Sequence, residues 1–395
     1  MSTRNDSKRF VMTFDPADSA HHIVGDNPAV TKQNIDALFR LWKWQGVDTV
    51  LYRVSECGRL GYPTKIGSVW SAVQTGIDKI HPGYKMLDVL LAQLDPLAEA
   101  VKAARNHGIE ILVWVTLYDS YYEVNGQPGY GYWGWFEQEN YETLGVLSRQ
   151  GKKLRGVMEF HYPAVREYWL KVMRELASYK VDGIYICVKT HSWCQIREQG
   201  SLYGESEFGF NEPVAVLYKE RYGMDPRHAP YDKTRLSAIL GEGLTAFLRE
   251  NRRVWGRRVV FIGKAPITLI GLQAFPQYPI FLDLSTWSNE RLIDRISVGY
   301  DIEWRKYGDS FADEVAAQIV PKAGQNVEVY VNVLSRLDDA NFSDPAEFRR
   351  HVLALNNSIA ANPNLAGGCY HEHEGFYGIY GENMNALWPE FAMFR

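Results

Sequence analysis

From Phe160 to Trp193 the chain reads FHYPAVREYWLKVMRELASYKVDGIYICVKTHSW. Val165, Tyr168, Trp169, Val172, Leu176 and Tyr179 recur at three- and four-residue steps, which places them on one helical face. Asp182 and Gly183 then open the nearly continuous apolar run Ile184, Tyr185, Ile186, Cys187 and Val188. Such a run suits a parallel strand covered on both faces. Lys189, His191 and Trp193 come only where that strand stops.

The same alternation extends along the chain. The pattern predicts strands over 10–14, 49–54, 110–117, 183–188, 258–262, 296–302, 327–333 and 367–370. It predicts helices over 31–44, 96–107, 164–179, 213–221, 235–255, 289–295, 311–320 and 345–361. Repeated βα units imply a parallel sheet with right-handed crossovers, and eight are the number that closes a barrel. A doubly wound open sheet is the alternative, but no strand is followed by a glycine-rich phosphate turn. No repeat, low-complexity tract or interdomain linker stands out. The expectation is an α/β protein with residues 1–395 forming one (β/α)8 TIM barrel. Long loops are expected after the third strand (119–155, with YYEVNGQPGYGYWGWF) and the fourth (190–213, with HSWCQIREQGSLYGESEFGFNEP).

Composition narrows the function. With 46% hydrophobic and 23% charged residues, the chain has the make-up of a soluble globular protein. A net charge of -4 gives no reason to expect nucleic acid or an anionic membrane as partner. No apolar run approaches the ~20 residues that span a bilayer. MSTRNDSKRFVMTFD holds no apolar signal core, so the cytoplasm is the expected compartment; a signal removed earlier would make it periplasmic or secreted. The four cysteines, Cys57, Cys187, Cys194 and Cys369, lack zinc-type spacing and read as free thiols. The 12 Trp and 24 Tyr exceed what core packing needs, and such rings also form the surfaces on which sugars stack.

The segment HYPAVREYWLKVMRELASYKVDGIYI resembles the family-10-type glycosyl-hydrolase-like barrel proteins, in which a His-Pro-x-Val-Arg helix leads to an Asp-Gly-Ile strand. FGFNEPVAVLYKERYGMDP and LSAILGEGLTAFLRE are similar to the helical insertion that follows in one subgroup. The resemblance covers the middle third closely and the rest as architecture, and it implies a glycan-active (β/α)8 enzyme. Many relatives carry an aspartate at the end of the fourth strand, where this chain has Cys187. A thiol cannot replace a carboxylate as glycosidic acid. Either another strand supplies the acid or the barrel no longer hydrolyses glycosides.

Glycoside cleavage uses one carboxylic acid to protonate the leaving oxygen and a second carboxylate as nucleophile or base. Acids at predicted strand ends are Asp15, Glu56, Asp119, Asp301, Glu303, Glu372 and Glu374. Any one alone reads better as a surface carboxylate or loop acceptor; their recurrence is the signal. Glu303 is the leading candidate acid, beside Trp304, whose apolar surface would raise a carboxyl pKa. Asp119 and then Glu374 or Glu372 are the candidate bases or nucleophiles. Strand alternation puts His371 and His373 on the opposite face from the two glutamates.

Candidate sugar-binding residues are Asp15, Arg53, Glu56, Trp70, Tyr118, Trp133, Lys189, His191, Trp193, Lys264, Asn332, His371 and His373, with Tyr132 and Trp135 as further stacking rings. Lys189 and Lys264 either bind an acidic sugar or pair with strand-end acids. Asn211-Glu212-Pro213 reads as a helix cap and first turn. No cofactor is expected, and the expected partner is an oligosaccharide or polysaccharide. Two other readings remain: a metal-dependent hydrolase with His371 and His373 as ligands, and a non-catalytic carbohydrate-binding barrel.

Overall fold

The computed structural model describes residues 8–16, 32–56, 58–72, 85–120, 134–190, 207–272, 275, 277–299, 301–334 and 345–371. Eight strands form a closed barrel: β1 (Arg9–Phe14), β2 (Thr49–Arg53), β3 (Glu110–Thr116), β4 (Gly183–Cys187), β5 (Val259–Ala265), β6 (Arg295–Val298), β7 (Glu328–Leu334) and β8 (Gly367–His371). Neighbours in sequence are neighbours in the barrel, all parallel, and β8 closes against β1 through Arg9↔Gly367 to Met12↔Tyr370. This is the (β/α)8 architecture that the alternation predicts.

Two residues per strand repeat divides the apolar positions between two jobs. Val11, Leu51, Leu112, Trp114, Tyr185, Cys187, Phe261, Tyr330 and Cys369 pack together inside the barrel. Their neighbours Met12, Val50, Val113, Ile184, Ile186, Val260, Ile262 and Val331 belong to the larger cluster beneath the helices. The helices follow their sequence signals. α3 (Pro96–His107) is capped by the Asp95 side chain, which accepts from Ala98 N at 3.0 Å, and it ends at left-handed Gly108. α5 (Pro163–Ser178) buries Val165, Tyr168, Trp169, Val172 and Leu176, as its periodicity requires.

The sixth unit departs from expectation. The helix before β6 is α8 (Leu284–Asn289), started by Asp283 accepting from Thr286 N, and β6 stops at Val298. Gly299 then turns the chain at φ 107°, where a Cβ would lie 2.0 Å from the Phe311 ring. The next residues form helix α9 (Asp301–Tyr307) instead of continuing the strand, so Glu303 is helical. The described part of the loop expected after the third strand holds α4 (Trp135–Leu144) and an antiparallel pair, Gly145–Leu147 with Lys153–Met158. Helices α1 (Lys32–Trp44), α2 (Lys85–Gln93), α6 (Glu212–Tyr222), α7 (Lys233–Trp255), α10 (Phe311–Ala323) and α11 (Pro345–Ala361) complete the α-helices of the described residues.

The barrel floor, at the strand starts, is closed by charge. Arg295 donates to both oxygens of Glu110 (2.5 and 3.1 Å) and from Nε to Glu328 (3.2 Å). Thr49 Oγ1 donates to Glu110 at 2.7 Å. Burial would push the Glu110 carboxyl up, but Arg295 and Thr49 outweigh it and hold it below its ordinary value. Replacing Arg295 by Ala leaves this carboxylate against the barrel interior, so unfolding in denaturant should show a loss of about 3 kcal/mol. A change within 0.5 kcal/mol, the usual span for surface substitutions, would show that the floor network contributes nothing net.

Candidate active site

At the opposite end, where the strands stop, the inward positions turn polar. Arg53, the last residue of β2, has a side chain only 5% exposed. Its Nη1 is bonded to Asp15, just after β1, and its Nη2 is 3.6 Å from Asp119, just after β3. Both aspartates are buried, and Arg53 Nε donates to Ser55 O at 3.1 Å. The guanidinium also lies 4.8 Å from the centre of the Trp114 ring. One cation from the second strand thus holds the carboxylates of its two flanking strands.

Lys264 reaches the same space by a backbone irregularity. β5 pairs regularly with β4 to Gly263↔Cys187, while its register against β6 shifts between Ile262 and Ala265. Gly263 has no room for a Cβ, which would fall 1.8 Å from the Tyr185 ring. Lys264 then adopts φ 55°, a conformation that costs a residue with a side chain about 1–3 kcal/mol, and its N donates to Ser297 Oγ at 3.3 Å. Bulges of this kind re-aim a side chain at a barrel rim. Lys264 Nζ lies 2.6 Å from His371 Nε2 and 5.5 Å from the Trp114 ring centre. With the ammonium donating to Nε2, His371 Nδ1 carries the proton and donates to Thr13 Oγ1 at 3.1 Å.

Asp15, Arg53, Asp119, Lys264 and His371 are thus gathered at one rim. Both ring nitrogens of His371 are engaged, so it could serve a metal only by releasing Lys264 or Thr13. Asn332, from β7, is buried and donates through Nδ2 to Gly299 O at 2.9 Å. Lys189 is half-buried just beyond β4. Glu303 accepts from Ile267 N at 2.6 Å, which ties α9 to the segment after β5, and Trp304 Nε1 donates to Asn332 O at 3.2 Å.

The other expected site residues divide between packing positions and places outside the described residues. Tyr118 is fully buried against Phe160 and Tyr278, and Trp70 is 3% exposed, so neither ring offers a stacking face. Trp135 is 41% exposed but packs edge-on against Phe136 and Tyr168 and donates from Nε1 to Ile66 O. Asn211 stands at the N-cap of α6 without capping it through its side chain, which instead accepts from Leu147 N and donates to Gly145 O, each at 2.9 Å. Glu56 lies in the short strand Ser55–Glu56, its side chain outside the described atoms, and the same holds for the Asp301 side chain. Tyr132, Trp133, His191, Trp193, Glu372, His373 and Glu374 lie outside the described residues.

Two buried acids carry no sequence signal. Glu159 accepts from Tyr278 OH at 3.0 Å and lies 2.7 Å from His161 Nδ1. Burial alone would lower the His161 pKa, but the hydrogen bond and charge of Glu159 outweigh it and raise it. Glu137, in the first turn of α4, accepts from the hydroxyl of Ser120, the residue after Asp119, at 3.1 Å. Burial pushes its carboxyl from 4.5 up to about 7, against the opposing pull of its own backbone N–H, Ser120 and Arg59.

No protein-family model matches the chain, and no curated protein sequence matches it. Among solved structures it is similar to the catalytic domain of β-amylase from Paenibacillus polymyxa, with a TM-score of 0.60 and 10% identity over 98% of both chains. It is also similar to α-L-fucosidase isoenzyme 2 from Paenibacillus thiaminolyticus, with a TM-score of 0.50 and 12% identity over 97% of this chain. The chain spans 48% of that fucosidase. The fold is one that sugar-cleaving barrels use. At such identities the likeness is one of architecture.

Because the folded protein binds the Glu137 proton more tightly than the unfolded chain does, stability attributable to this group falls as pH rises from about 4.5 to about 7 and is level above. Glu137→Gln should therefore gain on the parent protein across that window, by about 3 kcal/mol in denaturant midpoints converted to free energy. A difference independent of pH would mean that Glu137 titrates like an exposed carboxyl.

Proposed function

We propose that this protein is a glycoside hydrolase, acting at the strand-end rim of the barrel on an oligosaccharide or a glycan end. The observation that carries the reading is the pair of buried aspartates, Asp15 and Asp119, bound to the one guanidinium of Arg53 where barrel enzymes hold their chemistry. The likeness of fold to a β-amylase catalytic domain supports it, and so does the resemblance of residues 160–186 to family-10-type glycosyl-hydrolase-like proteins.

A carboxylate beside a guanidinium suits the anionic half of the mechanism better than the proton-donating half. Asp119 is accordingly the nucleophile or base, with Asp15 and Arg53 holding it in place. Glu303 protonates the leaving oxygen, with Glu372 or Glu374 as the other acids that can share the work. His371 and Lys264 bind sugar hydroxyls, joined by Lys189, Asn332, His191 and the loop aromatics Trp133 and Trp193. The reaction needs two carboxyl groups and water and proceeds without a metal. Their separation sets the outcome: ~5 Å gives retention and ~6.5–9.5 Å gives inversion.

Hydrolysis of a panel of reduced-end-labelled oligosaccharides tests the function. Asp119→Asn and Glu303→Gln should each cut kcat at least ~100-fold with the circular dichroism of the parent protein; the unfolding midpoint should hold in Glu303→Gln and fall in Asp119→Asn, which takes a charge from buried Arg53. Near-parental turnover in Glu303→Gln would remove that residue as the acid. A parent protein that binds glycans but cleaves none would make the barrel a binding protein.

A further inference from the structure

The outer face of the barrel carries a groove that takes no part in the strand-end site. It has a volume of about 770 Å³, lies between α5 and α7, and its charged lining is Arg166, Glu167, Arg174, Glu250 and Arg253. Two contacts show how its walls run. Arg166 Nε is 3.8 Å from Glu250 Oε2, and Arg258, just past α7, donates from Nη1 to Ala177 O at 2.8 Å. Early residues of one helix meet the earlier residues of the other, and late meet late, so the two helices run the same way. Arg174 of α5 and Arg253 of α7 both fall between those contacts, one on each wall.

The charges in this groove do not cancel. Arg166 is engaged: Nη1 donates to Phe160 O at 2.6 Å and His161 O at 3.2 Å, and Nε faces Glu250. Glu167 lies 3.1 Å from Lys171 Nζ, one turn along α5. Both acids of the groove thus have a basic neighbour. Arg174 and Arg253 are exposed, and among the described residues neither makes a hydrogen bond or an ion pair. Each presents a planar fork of N–H donors to the same space. Leu170, Ala177 and Val254 supply apolar surface in the same groove.

We infer that this groove binds a small phosphate monoester, with Arg174 and Arg253 clamping the phosphate and the apolar surface taking its organic part. Two unanswered unit charges match a phosphate monoester, which carries about −1.5 to −2 charge at neutral pH. A sulfate ester or a carboxylate carries a single charge. Arginine pairs with phosphate bidentately, in charge-assisted hydrogen bonds about twice as strong as neutral ones. The volume falls in the range of small-molecule clefts, ~300–1,000 Å³, and leaves room for more than a bare phosphate. A long polyanion fits less well, since the chain as a whole carries a net charge of -4. The ester is bound as it stands, with no bond made or broken. The groove lies outside the barrel, so the inference does not depend on the glycan reading above.

Calorimetry on the full-length protein with phenyl phosphate, phenyl sulfate and inorganic phosphate tests this. Phenyl phosphate should bind at least about tenfold more tightly than either of the others, and added salt should weaken it. Arg174→Gln and Arg253→Gln should each weaken it at least about tenfold. Their unfolding midpoints should stay near that of the parent protein, because both side chains are exposed. The two variants lie on different helices, so either one serves if the other fails to fold. Glu303→Gln, at the rim, should leave the affinity unchanged. No binding of phenyl phosphate, equal binding of phenyl sulfate or inorganic phosphate, or parental affinity in a folded glutamine variant of either arginine would overturn the inference. A loss in Glu303→Gln as large as in the arginine variants would overturn it too, by placing the ester at the rim. Whether glycans are cleaved bears on the hydrolase reading alone.

Discussion

Arg53 is the charge around which the barrel's working end is arranged. A guanidinium that is nearly all buried is stable only if its donors are answered, and they are answered by Asp15, Asp119, the Ser55 carbonyl and the face of Trp114. Those partners come from or just beyond β1, β2 and β3. They meet only because the sheet curls and places the three strand ends side by side. Barrel closure and charge satisfaction therefore depend on each other.

The interior is layered by polarity. Charges at the strand starts, centred on Arg295 and Glu110, seal one end, and an apolar waist of Val11, Leu51, Leu112, Phe261 and Tyr330 follows. The polar rim comes last. The floor network is mutually satisfied and serves structure. The rim differs in that it carries a bulge and two buried thiols between charged neighbours. Left-handed residues occur at both ends of the barrel, since Lys180 and Arg291, in the turns leading into β4 and β6, share that conformation with Lys264.

Much of this was legible along the chain. The apolar runs of β3 and β4 and the periodicity of α5 predict their elements to within one or two residues, because burial on one face or two leaves a repeat that needs no partner to read. Asp15, Arg53, Asp119, Lys264 and His371 were recognisable as polar residues at strand ends. The region after β6 was misread, since SVGYDI looks like a continuing strand until Gly299 turns and Phe311 fills the space. Tyr118 and Trp70 looked like stacking rings, yet the packing of neighbouring segments buries them.

Local pattern, then, determined the order of strands and helices, the parallel sheet, and the set of polar residues that emerge at strand ends. These follow from periodicity and from the preference of apolar side chains for the interior, which act over a few residues at a time. Only the tertiary structure decided which of those residues share a charge: that Arg53 takes two aspartates, that Lys264 meets His371 from across 107 positions of chain, and that Glu137 is buried against Ser120. Such pairings depend on distances across the barrel, and distance in sequence carries no trace of them.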